Sequence, residues 1–303
     1  MNMSLTPRER VRRAVEHGEV DRLPRGELVI DDAVTAQVLG CPKESLSFAG
    51  RLEFVRRMEL DIYCLSPRYP AGDSLPAARD CVFPDLQSWV RDTDLFIFGL
   101  LDGVFDWGFR LMGFERFITL SVRSPKSFQE LASGVARLNA GLIKRLAESG
   151  ASGVIIADDL AYQRGLFISP AALREYVFPS LDAQAAEAAA AGLTVFFHSD
   201  GNYGPVIPDI IGAGFKGLHC IDRNSGLSPG EIRRRYGDRL CLWGTLDTAD
   251  TLRAGEPGYL EELRVSTLGA TGGRGLILGT SSGIFSGMDM AGLKSVYRFF
   301  DQI

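Results

Sequence analysis

Eight short apolar runs, at residues 25–30, 61–65, 95–98, 153–157, 194–197, 217–221, 240–243 and 276–279, punctuate the chain. Most are apolar at consecutive positions rather than alternate ones, the pattern of strands covered on both faces in a parallel sheet. Segments of helix length separate them, and the later runs recur every 20 to 40 residues or so, as βα units do. Thr6-Pro7-Arg8-Glu9 combines an N-cap residue, a proline at the first helical position and a carboxylate three residues on, which predicts a helix from there to about His17. Further helical patterns cover 31–39, 43–59, 104–117 and 125–149. Pro67, Pro70, Pro76 and Pro84 interrupt 66–94, which predicts a long irregular excursion with a hairpin and one short helix.

The expected fold is therefore α/β, a (β/α)8 TIM-type barrel with an opening helix and a long excursion after the second strand. It spans 1–303 as one domain. A doubly wound sheet is the competing architecture, but no GxGxxG follows the first strand, where Asp31-Asp32-Ala33 stands instead.

Composition changes this picture little. A chain of 303 residues with 46% hydrophobic and 23% charged residues can fill one large core. The net charge of −5 argues against gripping nucleic acid, which needs clustered Lys and Arg. Arg8, Arg10, Arg12 and Arg13 share their helix with Glu9 and Glu16 and read as a solvated face. No apolar run is long enough for a membrane span and the N-terminus has no signal core, so the expected location is the cytoplasm. Five cysteines without a CxxC pair read as reduced, mostly core thiols.

In a barrel, catalytic groups come from the carboxyl ends of strands and the loops beyond them. Five polar clusters fall there: Glu27 with Asp31 and Asp32; Asp158-Asp159 with Tyr162, Gln163 and Arg164; His198-Ser199-Asp200-Gly201-Asn202; His219-Cys220-Ile221-Asp222; and Gly279-Thr280-Ser281-Ser282-Gly283. His198 and Asp200 are two apart, a spacing that directs both side chains to one side and suits a metal or a proton-transfer pair. Asp158 and Asp159 must point opposite ways, so at most one faces the axis, and spacing leaves open which. His219 serves equally as a core histidine or a ligand. The glycine-rich loop after the last strand suits phosphate binding or close packing, and His17, near a helix end, reads as a surface residue.

These residues, with Thr6-Pro7-Arg8-Glu9-Arg10-Val11, Gly18-Glu19-Val20-Asp21-Arg22-Leu23-Pro24, Leu111-Met112-Gly113-Phe114-Glu115, Phe167-Ile168-Ser169-Pro170 and Phe197-His198-Ser199-Asp200-Gly201-Asn202, give the chain a resemblance over nearly its whole length. It resembles the uroporphyrinogen decarboxylase superfamily, and within it the corrinoid-dependent methyltransferases. True decarboxylases carry Arg-Gln-Ala-Gly-Arg after the first strand to hold a polycarboxylate; here the segment is Pro24-Arg25-Gly26-Glu27-Leu28-Val29. The methyltransferase branch implies zinc held by His-x-Cys and a later cysteine. His198 matches the histidine, but Asp200 replaces the first cysteine and Ser281 or Ser282 stands near the second.

The resemblance then implies a harder zinc site, if zinc is bound, from His198, Asp200 and Glu27. It implies an O-demethylating methyltransferase that passes a methyl group from a methoxylated or other methylated small molecule to cobalt on a separate corrinoid protein. His198 and Asp200 would be catalytic, with Glu27, Asp158, Asp159, Tyr162 and Gln163 around the substrate. A homodimer is compatible with this reading. Two alternatives stand beside it: a cofactor-free decarboxylase of a small carboxylic acid or tetrapyrrole, with Arg25 or Arg164 fixing the carboxylate, and a non-catalytic corrinoid- or tetrapyrrole-binding protein.

Overall fold

The structure is a computed structural model and describes residues 4–302. Seven parallel strands form one curled sheet: β1 (Ile62–Leu65), β2 (Phe96–Asp102), β3 (Gly153–Ala157), β6 (Thr194–His198), β7 (Gly217–His219), β8 (Cys241–Trp243) and β9 (Leu276–Ile277), adjacent in that order. A two-residue antiparallel ribbon, β4 (Ala161–Tyr162) with β5 (Gly165–Leu166), stands apart from it. The eighth position belongs to the expected first strand, which is too irregular for a full ladder. The Asp61 amide donates to the Arg25 carbonyl on one side. On the other, the Gly26 amide and the Leu278 carbonyl meet, with further parallel bridges at Arg25–Leu278 and Ile30–Ile284. The barrel thus closes through single bridges.

Alternation along the strands separates two apolar layers. Ile62, Phe96, Phe98, Leu100, Ile155, Phe196, Cys241, Trp243 and Ile277 pack together inside the barrel, and Leu28 joins them. The intervening residues, such as Ile97, Leu101, Val154, Ile156 and Phe197, pack against the surrounding helices. Val11 and Val15 of the opening helix Pro7–Val15 close the barrel floor. That helix starts as its sequence predicts: the Glu9 amide donates to Thr6 Oγ1 at 3.3 Å and the Thr6 amide to Glu9 Oε2 at 3.1 Å. Such a reciprocal cap contributes about 1 kcal/mol.

Several expectations need correction. The helix expected over 43–59 begins only at Phe48, because Ser47 accepts from the Gly50 amide and caps it; Lys43–Ser45 forms a separate 3₁₀ turn. The helix expected over 104–117 divides at Gly113, whose φ of 77° ends Val104–Met112 and precedes Phe114–Arg123. Pro125–Ser149 forms as expected. The excursion over 66–94 contains one antiparallel bridge, Arg68–Val82, and the helix Leu86–Arg91.

The arginines of the opening helix are not all solvated. Arg10 is buried and pairs with Asp21 and Asp61, which holds the Asp21 carboxyl down at about 2. Arg8 donates to the carbonyls of Val90, Thr93 and Leu95. His17 is largely enclosed rather than superficial. Its Nδ1 lies 3.1 Å from Arg233 Nη1, and burial with that guanidinium depresses its basicity. Cys81, Cys220 and Cys241 are buried.

Candidate functional site

The in-out alternation that fills the barrel also selects which polar side chains meet at its mouth. Phe98 lies 5.3 Å from Phe196 and 5.9 Å from Trp243, ring centre to ring centre, so aromatic rings fill the interior just below the site. Two residues beyond Phe196, in the same orientation, comes His198. Two beyond Gly217 comes His219, whose ring stands edge-on to Trp243 at 4.8 Å. Gly217 is needed there, since a Cβ would meet Phe196 at 2.2 Å. Both histidines therefore belong to the next layer up. Their Nδ1 atoms are 2.8 Å apart, and His219 Nε2 lies 3.2 Å from the Thr280 carbonyl oxygen.

His198 Nε2 faces two carboxylates, Asp159 Oδ1 at 3.8 Å and Asp200 Oδ1 at 4.0 Å. Asp159 in turn accepts from the Asp200 amide at 2.8 Å, which ties the loops after β3 and β6 together. Ligand atoms of Asp159, His198 and Asp200 all lie within 4.8 Å of one another. This is a histidine and two carboxylates, a set that divalent zinc accepts.

The Asp158–Asp159 ambiguity is resolved by burial. Asp159 faces the mouth. Asp158 points the other way, fully enclosed, and accepts from the Phe105 amide at 2.6 Å at the start of the helix Val104–Met112. Gly103 makes this approach possible, because a Cβ there would meet Asp158 Cγ at 2.3 Å. The second Asp158 oxygen has no hydrogen-bond partner among the described residues, and burial pushes this carboxyl up to about 7.

Sequence reasoning missed Asp102 and Asp106. Asp102 continues the inward series Phe96, Phe98, Leu100 by two residues, a signal that was available; it pairs with Arg110. Asp106 lies in the first turn of Val104–Met112 and accepts from the Asp159 amide at 3.3 Å. Burial, and then the charges of Asp159, Asp158 and Asp102, push it up to about 8. Asp200 is also raised, by desolvation opposed by His198 and reinforced by Asp159 and Asp222. The mouth is thus strongly acidic.

Other expected site residues lie elsewhere. Glu27 does not join His198 and Asp200. It is buried against the helix Met290–Phe299, where the Thr280 hydroxyl and amide and the Tyr297 hydroxyl donate to it. Burial pushes it up to about 7. Position 27 is the outward one, between inward Gly26 and Leu28, which removes Glu27 from the expected metal set; Asp159 takes that place. Tyr162 is 48% exposed and stacks on Phe167 at 5.6 Å, on the ribbon beside the mouth, and Gln163 and Arg164 are exposed in its turn. The Asn202 amide donates to the Tyr162 carbonyl, so ribbon and His198 loop are linked through backbone.

Asp31 caps the helix Asp32–Leu39 and Asp32 pairs with Arg51. Arg25 is buried against Glu59 and Asp301 at the amino end of its strand, too far down to fix a substrate carboxylate at the mouth. The loop 279–283 spends its Thr280, Ser281 and Gly283 amides on Glu27, the Leu246 carbonyl and the Thr280 hydroxyl, which argues against a phosphate cradle.

The raised carboxyls give a testable pH dependence. Asp106, Asp158 and Glu27 are protonated in the fold at pH values where the unfolded chain has them ionised. The stability this gives is complete below the unfolded values near 4 and is lost as pH rises through 7 to 8. Urea midpoints are expected to fall between pH 5 and 8. Asp106→Asn should flatten that slope and be the more stable protein at pH 8; a flat wild-type profile would contradict the assignment.

The uroporphyrinogen decarboxylase (URO-D) family model matches residues 90–302. Among solved structures, a methyltransferase from Methanosarcina mazei aligns with a TM-score of 0.77 at 18% identity, covering 98% of this chain and 99% of that one. A Listeria monocytogenes protein assigned as a vitamin-B12-independent methionine synthase aligns at 0.54 with 10% identity, over 93% and 96%. D-psicose 3-epimerase of Clostridium cellulolyticum H10, solved with D-tagatose, aligns at 0.50 with 13% identity, over 85% and 91%. At these identities the likeness is one of fold. No curated protein matches the chain in sequence. No helix among the described residues is long and apolar enough to cross a membrane.

Proposed function

The chain belongs to the uroporphyrinogen decarboxylase family, and we propose that within it the protein is a methyltransferase, moving a methyl group from a methoxylated or otherwise methylated small molecule to cobalt(I) of a separate corrinoid protein. The observation that carries this reading is the mouth itself: one imidazole nitrogen, His198 Nε2, faces the acceptors Asp159 and Asp200 in a ring of further carboxylates. Asp159 and Asp200 would repel a tetracarboxylic tetrapyrrole, and Arg25 is committed elsewhere. Decarboxylation of a polyacid is poorly served by such a site. Removal of a methyl group from a neutral ether is well served.

In that reaction the methyl carbon leaves oxygen, the bonding pair stays with oxygen, and the cobalt(I) pair makes the new bond. The departing oxygen needs a proton or an equivalent positive charge, since a free alkoxide is a poor leaving group. His198 is the proton carrier. Its Nε2 takes up a proton at the mouth and passes it to the departing oxygen, and Asp159 and Asp200, 3.8 and 4.0 Å away, stabilise the imidazolium formed in between. Asp106, neutral up to about pH 8, adds no repulsion and can donate a hydrogen bond to a substrate oxygen. Tyr162 and Gln163 would border the substrate from the ribbon. Zinc, where bound, would be held by Asp159, His198 and Asp200 and would supply Lewis acidity at the substrate oxygen. The protein would work in the cytoplasm as a single barrel domain, docking its corrinoid partner over the mouth.

The test is spectroscopic. Purified protein, a corrinoid protein reduced to cobalt(I), and a panel of methoxylated aromatics and methylated amines are mixed, and conversion to methylcobalt(III) is followed. At least one methoxylated donor is expected to react; silence across the panel with an authentic partner would remove the proposal's support. Uroporphyrinogen is expected to pass unchanged, and coproporphyrinogen formation by the pure protein would reverse that expectation.

A further inference from the structure

We propose that His219 is a positioning residue: it fixes the tautomer of neutral His198 with the hydrogen on Nδ1, so that Nε2 is the nitrogen left to take a proton or a metal at the mouth beside Asp159 and Asp200. The inference deepens the reading of His198 as the working nitrogen and rests on it. Its warrant is a chain of hydrogen bonds with only one consistent polarity.

The Thr280 carbonyl can only accept, so His219 Nε2, 3.2 Å away, must carry its hydrogen. His219 has no exposed surface, and its described contacts are that carbonyl, the His198 ring and the Trp243 ring, with no carboxylate among them. A cation there would be uncompensated, so the ring is neutral. With Nε2 protonated, its Nδ1 is a lone pair. The 2.8 Å contact between the two Nδ1 atoms then requires His198 Nδ1 to donate. That leaves Nε2 of a neutral His198 as the acceptor, the form in which imidazole binds a metal or takes a proton.

The pocket around His219 is built for this orientation. Gly244, with φ of +78°, lies so close that a Cβ would sit 2.6 Å from His219 Nε2 and 3.1 Å from the Thr280 oxygen. Thr280 itself is anchored by the hydrogen bonds that its amide and hydroxyl give to Glu27. Glu27, expected from sequence to touch the metal, thus acts two bonds further out, holding the carbonyl that orients His219. The series Glu27, Thr280, His219, His198 runs from the outer helix to the mouth.

The experiment reads the tautomers directly, by nitrogen-15 NMR of the histidine side chains in the full-length, metal-free protein at neutral pH. His198 is expected as Nδ1–H and His219 as Nε2–H. In His219→Leu the His198 preference should disappear; in His219→Asn, whose side-chain oxygen can replace the Nδ1 acceptor, it should return. A wild-type His198 protonated on Nε2 alone, or one unchanged in His219→Leu, overturns the inference. Zinc titration of the same three proteins separates it from the metal reading. His219→Leu should bind zinc about 10- to 100-fold more weakly than wild type, and His219→Asn should recover most of that loss. Equal affinity in wild type and His219→Leu also overturns the inference. If instead the wild type shows no zinc affinity that His198→Ala abolishes, the zinc set falls while the tautomers still decide the role of His219.

Discussion

His198→Ala is expected to lower methyl transfer to cobalt(I) by at least roughly 10² to 10⁴-fold, the usual worth of a general acid, and by more where a metal is lost with it. Stability should change little by comparison. His198 stands above the aromatic layer formed by Phe98, Phe196 and Trp243, so its removal leaves the packed interior intact. His219 loses a hydrogen-bond donor, and water entering from the mouth can replace it. Single-turnover rates and urea denaturation of the same preparation separate the two effects. A variant that folds normally and transfers methyl at the wild-type rate would remove His198 from the chemistry, even if the enzyme class stood. Activity lost only in proportion to folded protein would make the residue structural.

The largest effect on stability is expected at Gly279→Ala. A Cβ at Gly279 would lie 2.0 Å from the Gly26 carbonyl oxygen and 2.6 Å from Trp243 Nε1. Those two atoms are bonded to each other at 3.0 Å, and the Gly26 amide also donates to the Leu278 carbonyl. The methyl group therefore strikes backbone at the place where the barrel closes through single bridges, and backbone cannot rotate away as a long side chain can. A loss of about 2 to 4 kcal/mol is expected, at the upper end of what overpacking costs. Chemical denaturation measures it; a change within about 0.5 kcal/mol would mean that the seam yields more easily than its geometry implies.

Much of this architecture was legible in the sequence because barrel strands are apolar throughout and helix-length spacers repeat between them. All eight strand positions were readable for that reason, and Thr6-Pro7-Arg8-Glu9 marked its helix through chemistry confined to four residues. What local pattern could not decide was partnership. The 43–59 segment has one helical periodicity, but the Ser47 cap wins over the weak start at Lys43. Arg10 looks like its exposed neighbours until Asp61, 51 residues away, arrives beside it.

The site divides in the same way. His198 and Asp200 were visible from spacing, whereas the third carboxylate was not: both Asp159 and Glu27 follow strands, and only the in-out phase of each strand separates them. Counting by two from Phe196 to His198 and from Phe96 to Asp102 would have found more of the mouth than residue type alone. Counting from Gly26 and Leu28 would have turned Glu27 outward. His219 remained ambiguous because burial and function are not opposites here. It is a core histidine whose neighbour faces the mouth.

Asp158 and Asp159 carry a consequence for how the mouth deforms. One side chain grips the amide of Phe105 and its neighbour faces Asp200 and His198, so a single peptide unit joins a helix to the site. That helix also bears Asp106 and Arg110, which border the same opening. Mechanically the dipeptide is a rocker. A ligand that draws Asp159 towards it is expected to pull through that peptide on the head of the helix, so that the adjoining wall of the opening responds with it.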